Sequence, residues 1–420
     1  MATIILFLLL FILLFLRVPI AISLGTSSIV ALWLIGFSTD TIILKMFTTI
    51  GSPILMAIPG FIFAGLIMAH GGIAKYLIEA MTAWLGHTRG GLSVIAILTC
   101  LVFAAISGSS AATAVAVGSI MIPAMVSAGY EKRYSMGLIA AAGTLGILMP
   151  PSIPLIIYGS IAEISIRNLF TAAIVPALIL GSALVLFAII VAKRKEYGGL
   201  EKIPMSERWK PTRKALWGIM FPFLILGSIY GGFVTPTEAS FLSVLYAFLV
   251  SVFIYREMSW SMFKKVVIDS VNTTSMIFLI VASASLFGMF LTLEQIPQGF
   301  AQWVVDNNFS TLTFLLVVSG LLFILGMFLD ATAMLLITLP IFLPVLILLD
   351  INLYYFAVIM VINMEIGLIT PPLGINLFVV SGISKEKIES VIKGVIPFYI
   401  VFIIVLLIII MFPKISLFLL

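Results

Sequence analysis

The chain has 420 residues, 62% of them hydrophobic and only 9% charged, where a soluble domain carries about 25% charged residues. With a mean hydropathy of +1.30, it has more apolar surface than one soluble core can bury, so lipid must be the solvent. Its apolar runs are continuous and do not alternate, which excludes a transmembrane β-barrel and leaves an all-α polytopic membrane protein. The net charge of +5 resides in short loops, where it reports orientation rather than a nucleic-acid partner. The single cysteine, Cys100, lies in an apolar run and excludes a disulfide framework.

Apolar stretches run over 2–16 and 18–36, split by Arg17 and Pro19. The first lacks a basic start and is read as a retained helix, not a cleaved signal peptide. A third stretch covers 54–69, and 73–85 has the pattern of an amphipathic surface helix. The stretch 92–128 is apolar but interrupted at Ser107-Gly108-Ser109-Ser110. A helix over 135–149 meets Pro150-Pro151 and resumes toward Tyr158, and another covers 169–192. Residues 193–214 carry eight Lys/Arg against three Glu and read as a cytoplasmic linker. The second half repeats this plan. Stretches 215–233 and 237–254 flank Thr235-Pro236-Thr237-Glu238, and a helix follows at 270–293. The interrupted stretch 309–348 breaks near Gly326 and Asp330, a helix over 353–369 meets Pro371-Pro372, and the last helix covers 390–412.

A shift of 221 residues carries Pro123 onto Pro344, Gly146 onto Gly367, and Pro150-Pro151 onto Pro371-Pro372. The same shift carries Ser160 onto Ser381 and Pro176 onto Pro397. One gapless offset that matches so many Gly and Pro residues marks an internal duplication. With 193–214 inside the cell, and 92–128 and 309–348 as re-entrant hairpins, Glu131-Lys132-Arg133, His87, Arg89 and Arg17 fall inside. So do Arg256, Lys264, Lys265, Lys385 and Lys387, while Glu294, Asp306 and Asp350 fall outside. That agrees with the positive-inside rule; Lys45 and Arg167 are exceptions. The two halves then have inverted topology, with one hairpin entering from each face.

Inverted repeats with paired broken helices are the layout of secondary transporters. Proline removes a backbone donor and clashes with the preceding turn. Each Pro-Pro pair therefore frees carbonyls on the half-helix before it, at Gly146 to Met149 and Gly367 to Thr370, and these can hold a hard cation such as Na⁺. Each hairpin tip adds small polar residues: Ser107, Ser109, Ser110 and Thr113 in the first, Asp330 and Thr332 in the second. Glu365 and Asp330 are ionisable groups at membrane depth and are functional candidates for that reason. His70 and His87 lie by cytoplasmic loops and read as structural, and Asp269, Glu163 and Glu238 read as caps near interfaces. Ser109 and Ser110 have no His–Asp partners nearby, so no catalytic triad is formed. No Lys or Arg sits at the midplane, so an anionic substrate would rely on helix N-termini and hydroxyls.

Six segments resemble the large membrane subunit of the TRAP (tripartite ATP-independent periplasmic) transporter family. They are LRVPIAISLG at 16–25, AAISGSSAATAVAVGSIMIPAM at 104–125, GTLGILMPPSIPLIIYGSIAE at 143–163, GGFVTPTEAS at 231–240, LGMFLDATAMLLITLPIFLPV at 325–345 and NMEIGLITPPLGINLFVVSGI at 363–383. The resemblance implies a sodium-coupled importer of an organic acid, such as a C4-dicarboxylate or a sialic acid, in a bacterial inner membrane. It implies a separate small four-helix membrane subunit and a periplasmic substrate-binding protein as partners. It also implies an elevator fold. Scaffold helices would occupy 1–89 and 215–308, transport halves 90–192 and 309–412, the linker 193–214 and a tail 413–420. The family's ion sites map here to Ser107, Ser110, Gly143 and Met149, and to Gly326, Asp330, Thr332, Met364 and Ile369. Substrate-facing candidates are Ser109, Thr113, Pro150, Asn363, Glu365 and Thr370. The rival reading is a self-sufficient Na⁺- or H⁺-coupled carrier of the same architecture.

Overall fold

The computed structural model describes residues 1–420 as twenty α-helices with no strand. Six helices are long and apolar enough to span a membrane, among them Ile166–Arg194, Trp260–Leu293 and Ile388–Met411. Ala57–His70 and Ile73–Leu85 meet at a 58° bend. Short polar side chains start many of these helices by accepting from the first free N–H groups. Ser165, Ser259, Ser310 and Asn352 do so, and Thr235 with Glu238 forms a full capping box.

The structure adds two helices where the sequence suggested only outer loops, Thr39–Ile50 and Ile296–Asp306. Both are short and amphipathic, and the first carries the start signals of a Ser38 cap and Asp40 in its first turn. The polar linker is shorter than expected, because Met205–Tyr230 is one helix. Its basic start is anchored: Arg208 donates to the Ile203 carbonyl at 2.9 Å and its guanidinium lies 5.6 Å from the Trp84 ring centre. The helix expected from 270 already begins at Trp260. The helix expected over 135–149 ends its α-helical part at Gly143 and continues as a 3₁₀ turn over Thr144–Ile147.

The duplication extends to the helices themselves. Adding 221 carries Ser110–Ser127 onto Ala331–Leu348 residue for residue, and carries Lys132 onto Leu353, the first residues of the two helices that lead to the breaks. Both Pro-Pro bonds, Pro150-Pro151 and Pro371-Pro372, are cis. The packing is paired as well. Ser110–Ser127 lies against Ile375–Ser384 of the other repeat, and Ala331–Leu348 lies against Ile153–Ile161. Helix 132–143 crosses Ile388–Met411 where Gly137 meets Gly394, so closely that neither position has room for a Cβ. The first two helices pack instead on the C-terminal half of Trp260–Leu293, around Leu6, Leu24, Leu32 and Phe287.

Candidate functional site

Each hairpin tip lies against the break of its own repeat. In the first, Gly108 closes helix Gly91–Ser107 in the left-handed region at φ 59°. A Cβ there would lie 2.7 Å from the Pro151 carbonyl oxygen, so glycine is required both by the turn and by the approach. The Ile153 N–H donates to the Gly108 carbonyl at 3.5 Å. In the second, Leu373 N–H donates to the Met327 carbonyl at 3.0 Å.

One side chain ties the repeats together. The Ser110 hydroxyl donates to Asn376 Oδ1 at 2.7 Å, and Asn376 Nδ2 donates to the Ala140 carbonyl at 3.0 Å. Ser110, Asn376 and Ala140 are all buried. Asn376→Leu would leave the Ser110 hydroxyl and the Ala140 carbonyl without this partner, at about 1–3 kcal/mol for each buried polar group left unsatisfied. A clear drop in melting temperature in detergent is the expected result.

Both tips and both breaks open onto one cavity of about 430 Å³, walled on its other side by helices 57–70 and 260–293. Four helices present their first turns to it, through Ser110 to Ala112, Ile153 and Pro154, Ala331 and Thr332, and Ile375 and Asn376. Helix N-termini carry a partial positive charge and free N–H groups. The wall contains no Lys or Arg; its only ionisable side chains are His70 and Asp330. Asp330 caps its helix, accepting from Thr332 N–H at 3.1 Å and Ala333 N–H at 3.4 Å.

The sequence candidates divide around this cavity. Ser107, Ser109, Ser110, Asp330 and Thr332 line it. Thr113 is buried behind the first tip, with its hydroxyl bonded to the Ser109 carbonyl at 2.8 Å and to Ser107 Oγ at 2.9 Å. Gly143 packs on Ala114, and Gly326 packs on Gly367. Met149, Pro150, Met364, Ile369 and Asn363 do not line the cavity. Asn363 Nδ2 donates to the Ile359 carbonyl at 2.9 Å and to Ser319 Oγ at 3.3 Å. The Thr370 hydroxyl donates back to the Ile366 carbonyl at 2.6 Å. Glu365 is fully buried, and neither carboxyl oxygen has a hydrogen-bond partner. Its polar neighbour is Thr144, its counterpart under the 221-residue shift, and the Thr144 hydroxyl donates to the Ala141 carbonyl at 2.8 Å.

Not all of the carbonyls expected to be free are free. Ser152 Oγ donates to the Ile147 carbonyl, Thr370 N–H to Gly367, and the Tyr399 hydroxyl to Ile369. The carbonyls of Leu148 and Met149 in the first break, and of Leu368 and Thr370 in the second, accept no hydrogen bond from the chain. Three polar wall residues escaped the sequence reading as site members: Asn376, Thr273 and His70, whose Nδ1 is bonded to the Leu66 carbonyl at 3.0 Å. Only Asn376 carried a usable signal, an amide inside an apolar stretch, where such groups bond across helices.

Comparison with known proteins agrees with this architecture. The family described as "Tripartite ATP-independent periplasmic transporter, DctM component" matches residues 7–415. The C4-dicarboxylate TRAP transporter large permease protein of Pseudomonas aeruginosa is 44% identical over 420 residues, 99% of this chain and 98% of that protein. The sialic acid TRAP transporter permease protein of Haemophilus influenzae is 34% identical over 374 residues, 89% of this chain and 61% of that protein. These relatives are named as permeases, not as enzymes. The solved YdaH transporter of Alcanivorax borkumensis shares the fold at a TM-score of 0.63 and 14% identity, over 89% of this chain and 87% of that one.

Proposed function

Because the chain belongs to the family of the tripartite ATP-independent periplasmic transporter DctM component, we propose that it imports an organic carboxylate by sodium symport. The observation that carries this reading is the central cavity. Four helix N-termini converge on it and no Lys or Arg enters it. Such a wall suits a small anion held by backbone dipoles and hydroxyls. Asp330 adds negative charge to the same wall, and a bound carboxylate would be repelled by it unless a cation came too. The unused carbonyls of Leu148 and Met149 adjoin the first tip, and those of Leu368 and Thr370 adjoin the second. Together with Ser107, Ser110, Asp330 and Thr332 they supply oxygen ligands for two sodium ions. The named substrates of the two relatives, a C4-dicarboxylate and sialic acid, are both carboxylates.

The transport domain in this reading comprises 90–192 and 309–412, with inverted repeats and both hairpins re-entrant. It moves as an elevator against the scaffold of 1–89 and 215–308, in a bacterial inner membrane. A separate small membrane subunit and a periplasmic binding protein complete the system. The test is uptake into proteoliposomes that hold this chain and its small partner. Uptake of succinate or N-acetylneuraminate that requires both a sodium gradient and the cognate binding protein is the expected result. Uptake without the binding protein would establish a self-sufficient carrier instead, and a proton gradient sufficing without sodium would overturn the coupling.

A further inference from the structure

A second cavity, of about 770 Å³, lies on the outer side of the central one. Its wall is largely apolar but carries Thr49, Ser160, Ser285, Thr292 and Gln298 beside Lys45. The two cavities are end to end along the same helices. Thr332 lines the inner cavity and Leu336 the outer; Ile277 and Val281 divide likewise, as do Pro154 and Ile157. The septum between them is therefore about one helical turn, roughly 6 Å at 1.5 Å per residue.

Lys45 departs from the positive-inside rule. Three basic side chains fall on the outer side: Lys45, Arg167 and Lys414. Arg167 has a structural use, because its guanidinium donates to the Tyr230 carbonyl. Lys414 lies on the C-terminal tail and lines neither cavity. Lys45 alone faces the outer cavity, and it has no carboxylate within 4.0 Å. Glu163 is the one acidic side chain in that wall, and it makes no ion pair with Lys45. The exposed ammonium therefore has no ion-pair partner in the chain.

We propose that the outer cavity is an entry subsite for an organic anion, where Lys45 Nζ draws in the carboxylate before the central site takes it up. This rests on the carboxylate-import reading. The lysine acts at the mouth and not in the central site, so it should govern capture more than turnover. Charges at a rim change capture and salt dependence in this way.

The experiment is sodium-driven uptake in the reconstituted system, with succinate or N-acetylneuraminate, whichever the wild type imports. Lys45→Gln should raise KM about three- to tenfold and leave kcat within about twofold. Higher ionic strength should raise the KM of the wild type but not that of the variant. Glu163→Gln should shift KM the opposite way. Lys45→Cys provides a second arm, because the only native cysteine, Cys100, is buried. Labelling with the aminoethyl methanethiosulfonate, which restores an ammonium, should recover the wild-type KM. The sulfonatoethyl reagent should not. A wild-type KM in Lys45→Gln, or equal effects of the two reagents, would overturn the proposal. So would a matching loss of binding-protein affinity for the reconstituted permease, which would assign Lys45 to docking. Import of neither acid by the wild type would instead bring down the carboxylate reading, and the entry subsite with it.

Discussion

Gly146→Val is expected to abolish uptake and to lower the melting temperature. Gly146 is not conformationally special; it lies in the 3₁₀ turn over Thr144–Ile147. What it lacks is room. A Cβ there would collide with the Ser109 carbonyl oxygen and lie 2.6 Å from its carbon and 2.8 Å from the Ser110 nitrogen. All three are backbone atoms, so no side chain can rotate away, and the tip itself must move. Overpacking of this kind costs about 1–3 kcal/mol. The functional loss should be larger than the loss of stability. The displaced residues are Ser109 and Ser110, which line the cavity and begin one of the four helices facing it. A misplacement of about 1 Å in a positioned site can cost on the order of a hundredfold in rate. Gly367, the repeat partner, is held the same way, with a Cβ only 2.8 Å from the Gly326 Cα, and Gly367→Val should behave alike. The control is Gly320→Ala. That glycine is exposed on helix 311–326 with nothing within 4 Å of a Cβ, so alanine should be neutral or stabilise by up to about 1 kcal/mol. Uptake in proteoliposomes and melting in detergent separate the three variants. A Gly146→Val protein that transports at the wild-type rate would refute the pinning of tip to break.

Gly146 and Gly367 also show what the sequence could and could not reveal. As a pair at a fixed offset they were visible as markers of the duplication. Their physical purpose, close approach of a hairpin tip, depends on chain segments about forty residues away and leaves no local pattern. The hairpin interruptions were legible because Ser107 to Ser110 and Asp330 break long apolar runs in a way lipid does not tolerate without a reason. The end of the first half-helix was not legible. The apolar run continues to Met149, yet the α-helix stops at Gly143, where the chain packs on Ala114 of the first hairpin. Asn376 was legible only as a polar residue out of place; its bond to Ser110 spans 266 residues. Helix 39–50 is hidden for a different reason. Its Ser38 cap and Asp40 are in plain view, but it is too short to span a bilayer, so a search for membrane spans passes over it.

Glu365→Met is expected to stabilise the fold, and Glu365→Gln to leave sodium-driven uptake within about tenfold of the wild type. Both expectations start from the same geometry. The carboxyl is fully buried and neither oxygen has a partner. A buried polar group left unpaired costs about 1–3 kcal/mol, and an ionised one more. Met has similar length and no polar atoms, so replacing the carboxyl removes that cost. Gln keeps the shape and a polar head but cannot carry a proton. Leu368, one turn further along the same helix, lines the central cavity, whereas Glu365 does not. Its carboxyl is buried away from the cavity lining, which is why the sodium-driven step should survive the amide. The same position puts it close enough to the second break for its charge to be felt there. The decisive comparison is the driving force. Uptake driven by a proton gradient alone, lost in Glu365→Gln, would make Glu365 the coupling group and remove that role from the sodium ligands proposed at the two tips. If sodium-driven uptake persists in both variants and the Met protein melts higher, the carboxyl takes no part in coupling.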